Sequence, residues 1–183
     1  DGFPALEFPG ALASLYAAIN SDVFSIAFRV RLPASSVLLL ACGQSPTNSD
    51  PHPDGTAIII GATYTAGVNT SITASLSDDG VSTPVVASQN ATHSAWHTVI
   101  VRSTGSTIRV RVDGTNGSTA DTSGLGPVTR LDTTSIGCVI DGSDGSVTGT
   151  MNGHLRHVLV ADGYSWTDAE CLTVEAGLTA IWT

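Results

Sequence analysis

Paired carboxylates are the first residues to test for chemistry in this chain, because they carry out acid–base work on glycosidic bonds. Such a pair faces the bond at about 5–9.5 Å, which on a β-strand requires Asp or Glu two or four residues apart. No predicted strand carries such a pair. Asp50 and Asp54 are four apart, but two prolines lie between them, and the three glutamates lie near the start of the chain or in a predicted helix. We therefore expect no hydrolase activity.

Other catalytic signatures are missing from the sequence as well. It contains no Gly-x-Ser-x-Gly motif, no His-Glu-x-x-His motif and no glycine loop for phosphate. His154 and His157 are three apart on a predicted strand, so we expect them on opposite faces, unable to share a metal. His97 is expected to be a structural strand residue rather than a base. The sequence predicts a protein that is not an enzyme.

Calcium is the one metal for which the sequence offers ligands. Asp141 and Asp144 lie in the turn sequence Asp-Gly-Ser-Asp-Gly, and calcium prefers carboxylate and carbonyl oxygens on loops. The alternative is a solvated turn in which one of these aspartates caps its own backbone. Because no third carboxylate or EF-hand spacing accompanies the pair, we favour the turn. We expect no cofactor and keep calcium as the alternative.

Alternating apolar residues indicate the strands that must position any site. Over residues 23–32, Phe24, Ile26, Phe28 and Val30 share one face. Trp96–Gly114 has the pattern of a β-hairpin with a glycine-containing turn. Apolar residues at 108, 110 and 112 face one way and Arg109 and Arg111 the other. This alternation predicts that one face is buried and that the arginine face lies in water.

The remaining elements follow from turn residues and caps. Thr167 and Glu170 form a capping box, which predicts a short helix with Trp166 packed onto Cys171. We expect that helix to end near Gly177 and Leu178–Trp182 to return as a strand. Further strands are predicted near residue 6 and over 37–41, 56–62, 71–76, 84–87, 134–140 and 151–161, with a long loop over 43–55 and a polar turn region over 114–126.

Composition limits the class and the partners. At 183 residues and 42% hydrophobic content, the chain suits one domain over 1–183. Net charge is −9 and lysine is absent, which argues against nucleic acid and anionic membranes as partners. No run is long enough to insert in a membrane. Cys42, Cys138 and Cys171 show no metal or redox spacing, and we expect Cys42 and Cys138 to be buried. Without an initiator Met, the chain is expected to be processed, trimmed or partial.

Five segments in order carry a family resemblance. They are Phe24–Val30, Trp96–Val101, Ile108–Gly114, Asn152–Val160 and Trp166–Glu170. The series resembles the concanavalin A-like, laminin G-like jelly roll over about residues 5–178. The resemblance implies an all-β antiparallel sandwich with one short C-terminal helix. Hydrolytic relatives use a Glu-x-Asp-x-Glu strand, which is missing here, and some laminin G-like relatives bind calcium at a rim.

Lectin sites on this fold combine an aromatic platform with Asn and Asp acceptors, so the resemblance points to three binding candidates. Tyr64 lies among small polar residues, with Asn69 shortly after it, and Tyr164 is a second aromatic. The alternative for Tyr64 is packing at a strand end. Arginines 29, 31, 109 and 111 are predicted either to form a basic patch on one sheet face or to be solvated and ion-paired separately.

We therefore expect a non-catalytic structural or adhesive module at a virion surface or in an extracellular setting. Absent lysine, Ser/Thr/Gly-rich loops and the missing disulfide framework favour a phage virion protein, such as a capsid decoration or tail appendage protein. Its expected partners are other virion or surface proteins, in a homo-oligomer. The alternative is a carbohydrate-binding module for a cell-surface glycan, with or without calcium. The loops over 43–55, 61–69 and 141–146 are expected to carry binding, and the hairpin to be scaffold.

Overall fold

This structure, a computed structural model, describes residues 6–7, 21–43, 57–66, 70–77, 84–125, 133–136, 139–140, 147–148 and 153–180. Thirteen strands and one helix, α1 (Asp168–Ala180), lie within these residues. The strands are β1 (Leu6–Glu7), β2 (Val23–Arg31), β3 (Val37–Gly43), β4 (Ala57–Thr63), β5 (Thr70–Ser77), β6 (Val85–Ala91), β7 (Trp96–Thr104), β8 (Thr107–Val112), β9 (Thr115–Asp121), β10 (Thr133–Ile136), β11 (Val139–Ile140), β12 (Val147–Thr148) and β13 (His154–Asp162). In this part of the chain no helix is long and apolar enough to cross a membrane.

Two antiparallel sheets form the sandwich that the sequence predicts. One has six strands in the order β1-β10-β3-β4-β5-β6, the other has five in the order β13-β2-β7-β8-β9, and β11 and β12 form a separate pair. The apolar faces meet in a single buried cluster that takes residues from both sheets. On β2 it contains the four alternating residues named from the sequence, Phe24, Ile26, Phe28 and Val30, each at most 1% exposed.

Two sequence predictions about the elements are wrong. Residues 115–121, predicted as a polar turn, form β9, because Asp113 and Gly114 both have positive φ (46° and 82°) and return the chain in a two-residue hairpin turn. This edge strand is mostly exposed, so alternation gave little signal. The predicted closing strand from Leu178 is instead the end of α1, because Leu178 is buried against the sheet. The helix therefore passes Gly177 and ends at Ala180.

Other predictions are met in part or fall outside the described residues. The strand predicted over 134–140 is divided between β10 and β11, which pair with different neighbours. Of the predicted loop over 43–55, Gly43 is the end of β3 and the remaining residues lie outside the described part of the chain, as do the predicted loop over 141–146 and the side chains of Cys42 and Cys138. Cys171 is buried and free.

Helix α1 packs on the outer face of the five-stranded sheet. Ala27, Ile100, Cys171 and Leu178 form a small buried cluster there, against which Trp166 and Val174 pack. The predicted capping box is confirmed. The Thr167 amide donates to the Glu170 carboxylate at 2.7 Å, and the Glu170 amide donates to the Thr167 hydroxyl at 3.3 Å. The cap and this cluster fix where the helix begins on the sheet.

Candidate functional site

Positive charge is concentrated on the outer face of the five-stranded sheet. Even-numbered residues of β2 fill the core, so its odd-numbered residues face outward, and strand pairing carries that outward face to β7, β8 and β13. Six of the seven cationic residues lie on this face: Arg29, Arg31, Arg102, Arg109, Arg111 and Arg156. The seventh, Arg130, lies outside the described residues. An acidic chain therefore has all its described arginines on one sheet face.

Helix α1 divides this face into two halves. The covered half lies under the helix and contains Ala27, Ile100, Arg102 and Arg111. Arg111 is 4% exposed and ion-paired with Glu175, so the prediction that it lies in water is wrong. Alternation places Arg111 on the correct face of the sheet but does not show that the helix covers that face.

The open half is defined by two rows of residues beyond the helix. Pairing places His154, Arg31 and Trp96 side by side on β13, β2 and β7. The next row holds Arg156, Arg29 and Thr98, about 7 Å further along the strands. These six residues belong to three neighbouring strands, so the sheet itself sets their spacing.

Trp96 is the aromatic centre of the open half. The guanidinium carbon of Arg156 lies 4.5 Å from the Trp96 ring centroid, a cation–π distance. The His154 ring centroid lies 6.1 Å from it, with the planes inclined by 35°. Trp96 is half-buried, whereas Arg31, His154 and Arg156 are exposed. The open half therefore combines an aromatic surface with exposed cations.

Neutral partners hold two of the open-half arginines. Arg29 donates to the Thr98 hydroxyl at 2.8 Å, and Arg31 donates to the Ser94 carbonyl at 3.2 Å. Neither forms an ion pair with a carboxylate of the described residues. Both guanidinium groups are therefore oriented by hydrogen bonds to neutral groups, and the charge of Arg29 also acts on Asp113 without a direct ion pair.

A hydrogen-bonded pair of titratable residues lies behind the open half, with the His97 side chain buried and the Asp113 side chain 47% exposed. His97 Nδ1 is 2.5 Å from Asp113 Oδ2, and His97 Nε2 is 2.7 Å from the Thr92 carbonyl oxygen. The hydrogen bond to Asp113 raises the pKa of His97. Burial raises the pKa of Asp113, but hydrogen bonds from His97 and from the Thr98 amide outweigh it and leave that pKa lowered. The burial and full engagement of His97 support the prediction that it is structural.

Tyr64 lies at the same end of the sandwich as the open half. It directly follows β4, its amide donates to the Ser36 hydroxyl at 3.0 Å, and its ring meets the His93 ring edge-on at 5.3 Å. The next residue after His93 is Ser94, whose carbonyl accepts from Arg31. Tyr64 is half-buried, and this short series of contacts connects it to the open half.

Tyr164 lies at the opposite end of β2. Its carbonyl accepts from the Ser25 hydroxyl at 3.1 Å, and its own hydroxyl donates to Glu170 at 2.8 Å. Ser25 and Arg31 are six residues apart on one strand, about 20 Å. The structure therefore does not bring Tyr64 and Tyr164 into one site.

The other predicted site residues are untested. Asn69, Asp141 and Asp144 lie outside the described residues, and the calcium site stays a prediction. Within the described ranges no group of three or more His, Cys, Asp or Glu side chains is placed to hold a metal.

The prediction that His154 and His157 lie on opposite faces assumed strict alternation along β13, and the strand does not follow it. Register shifts between Arg156 and Val158, so His157 is a bulged residue with φ of 46°. The bulge allows Leu155 and Val158, three residues apart, to pack on the same core. Strict alternation therefore does not apply between the two histidines.

The sequence did not predict that Trp96, His154 and Arg156 lie next to one another. It treated Trp96 as a packing residue of the hairpin, although Val99 and Val101 in the core place even-numbered residues of β7 outward. The alternation along β7 therefore already indicated that Trp96 lies on the outer face. The pairing of β13 with β2, which brings Arg156 to Trp96, has no signal in the sequence.

No protein family model and no curated protein matches the sequence, but several solved structures are similar. The carbohydrate-binding module CBM40 of the Ruminococcus gnavus IT-sialidase, bound to α2,3-sialyllactose, has a TM-score of 0.67 at 13% identity. The alignment covers 96% of this chain and 98% of that chain. The leech intramolecular trans-sialidase complexed with 2,7-anhydro-Neu5Ac has a TM-score of 0.70 at 12% identity, over 93% of this chain and 26% of that chain.

A third similar structure is the mouse laminin α1 chain, domains LG4-5. Its TM-score is 0.55 at 15% identity, over 77% of this chain and 36% of that chain. Identities this low establish the fold alone. The predicted all-β jelly-roll sandwich with a C-terminal helix is confirmed.

Proposed function

We propose that this chain is a non-catalytic carbohydrate-binding module, and that the open half binds a sugar carrying a negatively charged group. The observation that carries this proposal is Trp96 with the Arg156 guanidinium 4.5 Å from its ring centroid and Arg31 beside it on the neighbouring strand. A Trp ring packs against the apolar face of a sugar, and its indole N–H serves as a polar contact. Guanidinium groups bind carboxylates through two parallel hydrogen bonds.

The similar CBM40 module bound to sialyllactose supports the same ligand chemistry, since sialic acid carries a carboxylate. The net charge of −9 opposes an anionic ligand at long range. At physiological salt, however, charges are screened beyond about 8 Å. The local arginines of the open half therefore dominate at contact distance.

Titration calorimetry with 3′-sialyllactose and with lactose tests the ligand class. We expect saturable binding of sialyllactose, weakened by added salt, and no binding of lactose. Trp96→Ala and Arg31→Gln should each abolish it. Arg109→Gln is the matched control, because Arg109 lies on the same sheet face but donates to Thr119 on β9. Trp96→Phe provides a milder variant should Trp96→Ala fail to fold. Equal binding of lactose and sialyllactose would overturn the charged-ligand proposal.

The spacing of the carboxylates along the strands supports the proposal that the module is not catalytic. In the described part of the chain, no strand carries two of them two or four residues apart, the spacing that glycoside hydrolysis needs. Prolonged incubation with sialyllactose should therefore release no sialic acid. Release that follows the protein concentration would show an enzyme. Binding that EDTA abolishes would support calcium at Asp141 and Asp144, and unchanged binding would argue against it.

A second candidate function is a structural protein of a phage virion, a capsid decoration or tail appendage protein that forms a homo-oligomer. The complete absence of lysine and the Ser/Thr/Gly-rich loops favour it. Electron micrographs of native particles labelled with antibody to this chain test it, together with light scattering of the purified protein. A labelled particle and a defined oligomer would support the role. A free monomer that labels no particle would exclude it.

A further inference from the structure

The His97–Asp113 pair holds the part of β7 that carries the open half. His97 stands between Trp96 and Thr98 in the chain. Asp113 accepts from the Thr98 amide at 2.8 Å, and its own amide donates to the Thr98 carbonyl at 3.1 Å. The Thr98 hydroxyl in turn accepts from Arg29. The pair therefore connects the β8–β9 turn to Trp96, Thr98 and Arg29 of the open half.

Both ring nitrogens of His97 face acceptors. Nδ1 meets the Asp113 carboxylate from the β8–β9 turn, and Nε2 meets the carbonyl of Thr92, with the Thr92 hydroxyl at 3.2 Å, from the connection before β7. The remaining charged group is Arg29 on β2. A protonated imidazole donates from both nitrogens, whereas a neutral one has a single N–H. Loss of the proton leaves one ring nitrogen with a lone pair: at Nδ1 it faces the Asp113 carboxylate, and at Nε2 it faces the Thr92 carbonyl, where the Thr92 hydroxyl at 3.2 Å is the group that can donate to it. The hydrogen bonds around the ring must therefore rearrange when the proton is lost.

We infer that His97 and Asp113 are positioning residues of the open half: the second proton on His97 keeps Trp96 and Thr98 in the arrangement that binds the ligand. This inference rests on the proposed function. The hydrogen bonds to Asp113 and to the Thr92 carbonyl favour the protonated ring, whereas burial and the charge of Arg29 oppose it; the bond to Asp113 is the largest effect, and the His97 pKa is raised above its ordinary value of 6.5. Ligand affinity is accordingly high on the acidic side of that raised pKa and falls as the pH increases through it.

NMR of the protein without ligand is the first test. The His97 ring, the Trp96 indole N–H and the Thr98 amide are followed from about pH 5.5 to about pH 9, a range that spans ordinary histidine titration. We expect the three signals to change with one midpoint. His97→Gln should remove the change at Trp96 and Thr98, and Asp113→Asn should move the midpoint to lower pH. His154→Gln is the matched control: it removes the other ring beside Trp96 and should leave the midpoint unchanged.

Calorimetry with 3′-sialyllactose over the same pH range is the second test. We expect the Kd to rise by at most about tenfold per pH unit above the His97 midpoint, the limit for coupling to one proton. In the His97→Gln variant this rise should disappear. If His97→Gln does not fold, Asp113→Asn makes the same test through the shifted midpoint.

The outcomes separate the two proposals. If Trp96 and Thr98 signals stay constant while the His97 ring titrates, the positioning role is wrong, whatever the sugar affinity. If they move with His97 but sialyllactose binds at no pH, the proposed function fails and the coupling of His97 to Trp96 stands. A Kd that does not change across the His97 titration would also overturn the positioning role.

Discussion

Arg111 on β8 and Glu175 on α1 form a two-bond ion pair beneath the helix. Arg111 Nε is 2.9 Å from Glu175 Oε1, and Nη2 is 3.3 Å from Oε2. Their side chains are only 5% and 11% exposed. Glu175 also accepts from the Gly114 amide at 2.9 Å. One carboxylate therefore joins the helix, β8 and the β8–β9 turn.

Glu175→Gln should destabilise the protein strongly. It leaves the Arg111 charge buried without its partner, which typically costs about 3–5 kcal/mol of unfolding free energy. Urea unfolding followed by circular dichroism measures it. Asp168→Asn is the comparison: Asp168 pairs with Arg102, whose side chain is also buried at 10% exposed, but Asp168 itself is 60% exposed. Water can replace an exposed carboxylate, so we expect a smaller loss there than at the buried Glu175. An equal loss in the two variants would contradict the role given to burial.

Gly117→Ala should also be destabilising. A Cβ at this position would lie 2.2 Å from the Ser88 carbonyl oxygen, where the edge strands β9 and β6 approach each other. The strands must separate, and the Ser118 hydroxyl would lose its 2.8 Å bond from the Ser88 amide. We expect a loss of about 1–3 kcal/mol in thermal or urea unfolding.

Gly177→Ala is the control for this substitution. Gly177 lies inside α1, and nothing would meet its Cβ within 4 Å. Alanine in a helix interior should raise the unfolding free energy by about 0.5–1 kcal/mol. A loss at position 177 similar to that at position 117 would show that close approach is not the cause.

The His97–Asp113 pair should stabilise the fold most between pH 3.8 and 6.5, the ordinary pKa values of the two groups. The raised pKa of His97 means that its contribution is complete below 6.5 and is lost as the pH increases through the folded pKa. The lowered pKa of Asp113 means that its contribution is present above 3.8 and is lost as the pH falls through the folded pKa. Urea unfolding of wild type and Asp113→Asn across this range measures the difference.

Asparagine suits the positive φ of 46° at position 113, so this variant keeps the turn. The wild-type advantage should be largest in the middle of the range and should shrink toward both ends. An advantage that is constant with pH would show that the pair does not titrate as described.

Thr167→Ala should weaken the start of α1. The Thr167 hydroxyl accepts from the Glu170 amide, and loss of such a cap costs about 0.5–2 kcal/mol. Thr173→Ala is the matched control, because the Thr173 hydroxyl donates to the Ala169 carbonyl inside the same helix. That change should be neutral or slightly stabilising, since alanine is the better helix former. Comparable losses in the two variants would exclude the capping explanation.

Much of the fold could be predicted because it depends on local pattern. The alternation of β2 and the Trp96–Gly114 hairpin survive in the structure, as does the capping box of α1. One failure has a local cause and the other a tertiary one. β9 has mostly exposed residues and therefore no apolar period. Leu178 follows a glycine that usually ends helices, yet its burial against Ile100 extends the helix.

Much less of the candidate site could be predicted. Parity along each strand determines which side chains share a face, so the sequence by itself placed Arg29 with Arg31 and Arg109 with Arg111, and left open whether the four form one patch. It also determined the capped helix and the acidic, lysine-free composition. Tyr64 was named as a candidate, but nothing in the sequence indicated that it lies near Arg31 and far from Tyr164.

Only the tertiary structure decided which arginines meet water and which meet a carboxylate. Glu175 is 64 residues from Arg111 in the chain, and Arg156 is 60 residues from Trp96 by residue number. No periodicity connects such positions. Strand order, the bulge at His157 and the position of α1 on the sheet are all determined by packing between distant segments. The sequence therefore determined which arginines share a face on each strand, and tertiary packing decided that they lie on one sheet face and which part of it stays open.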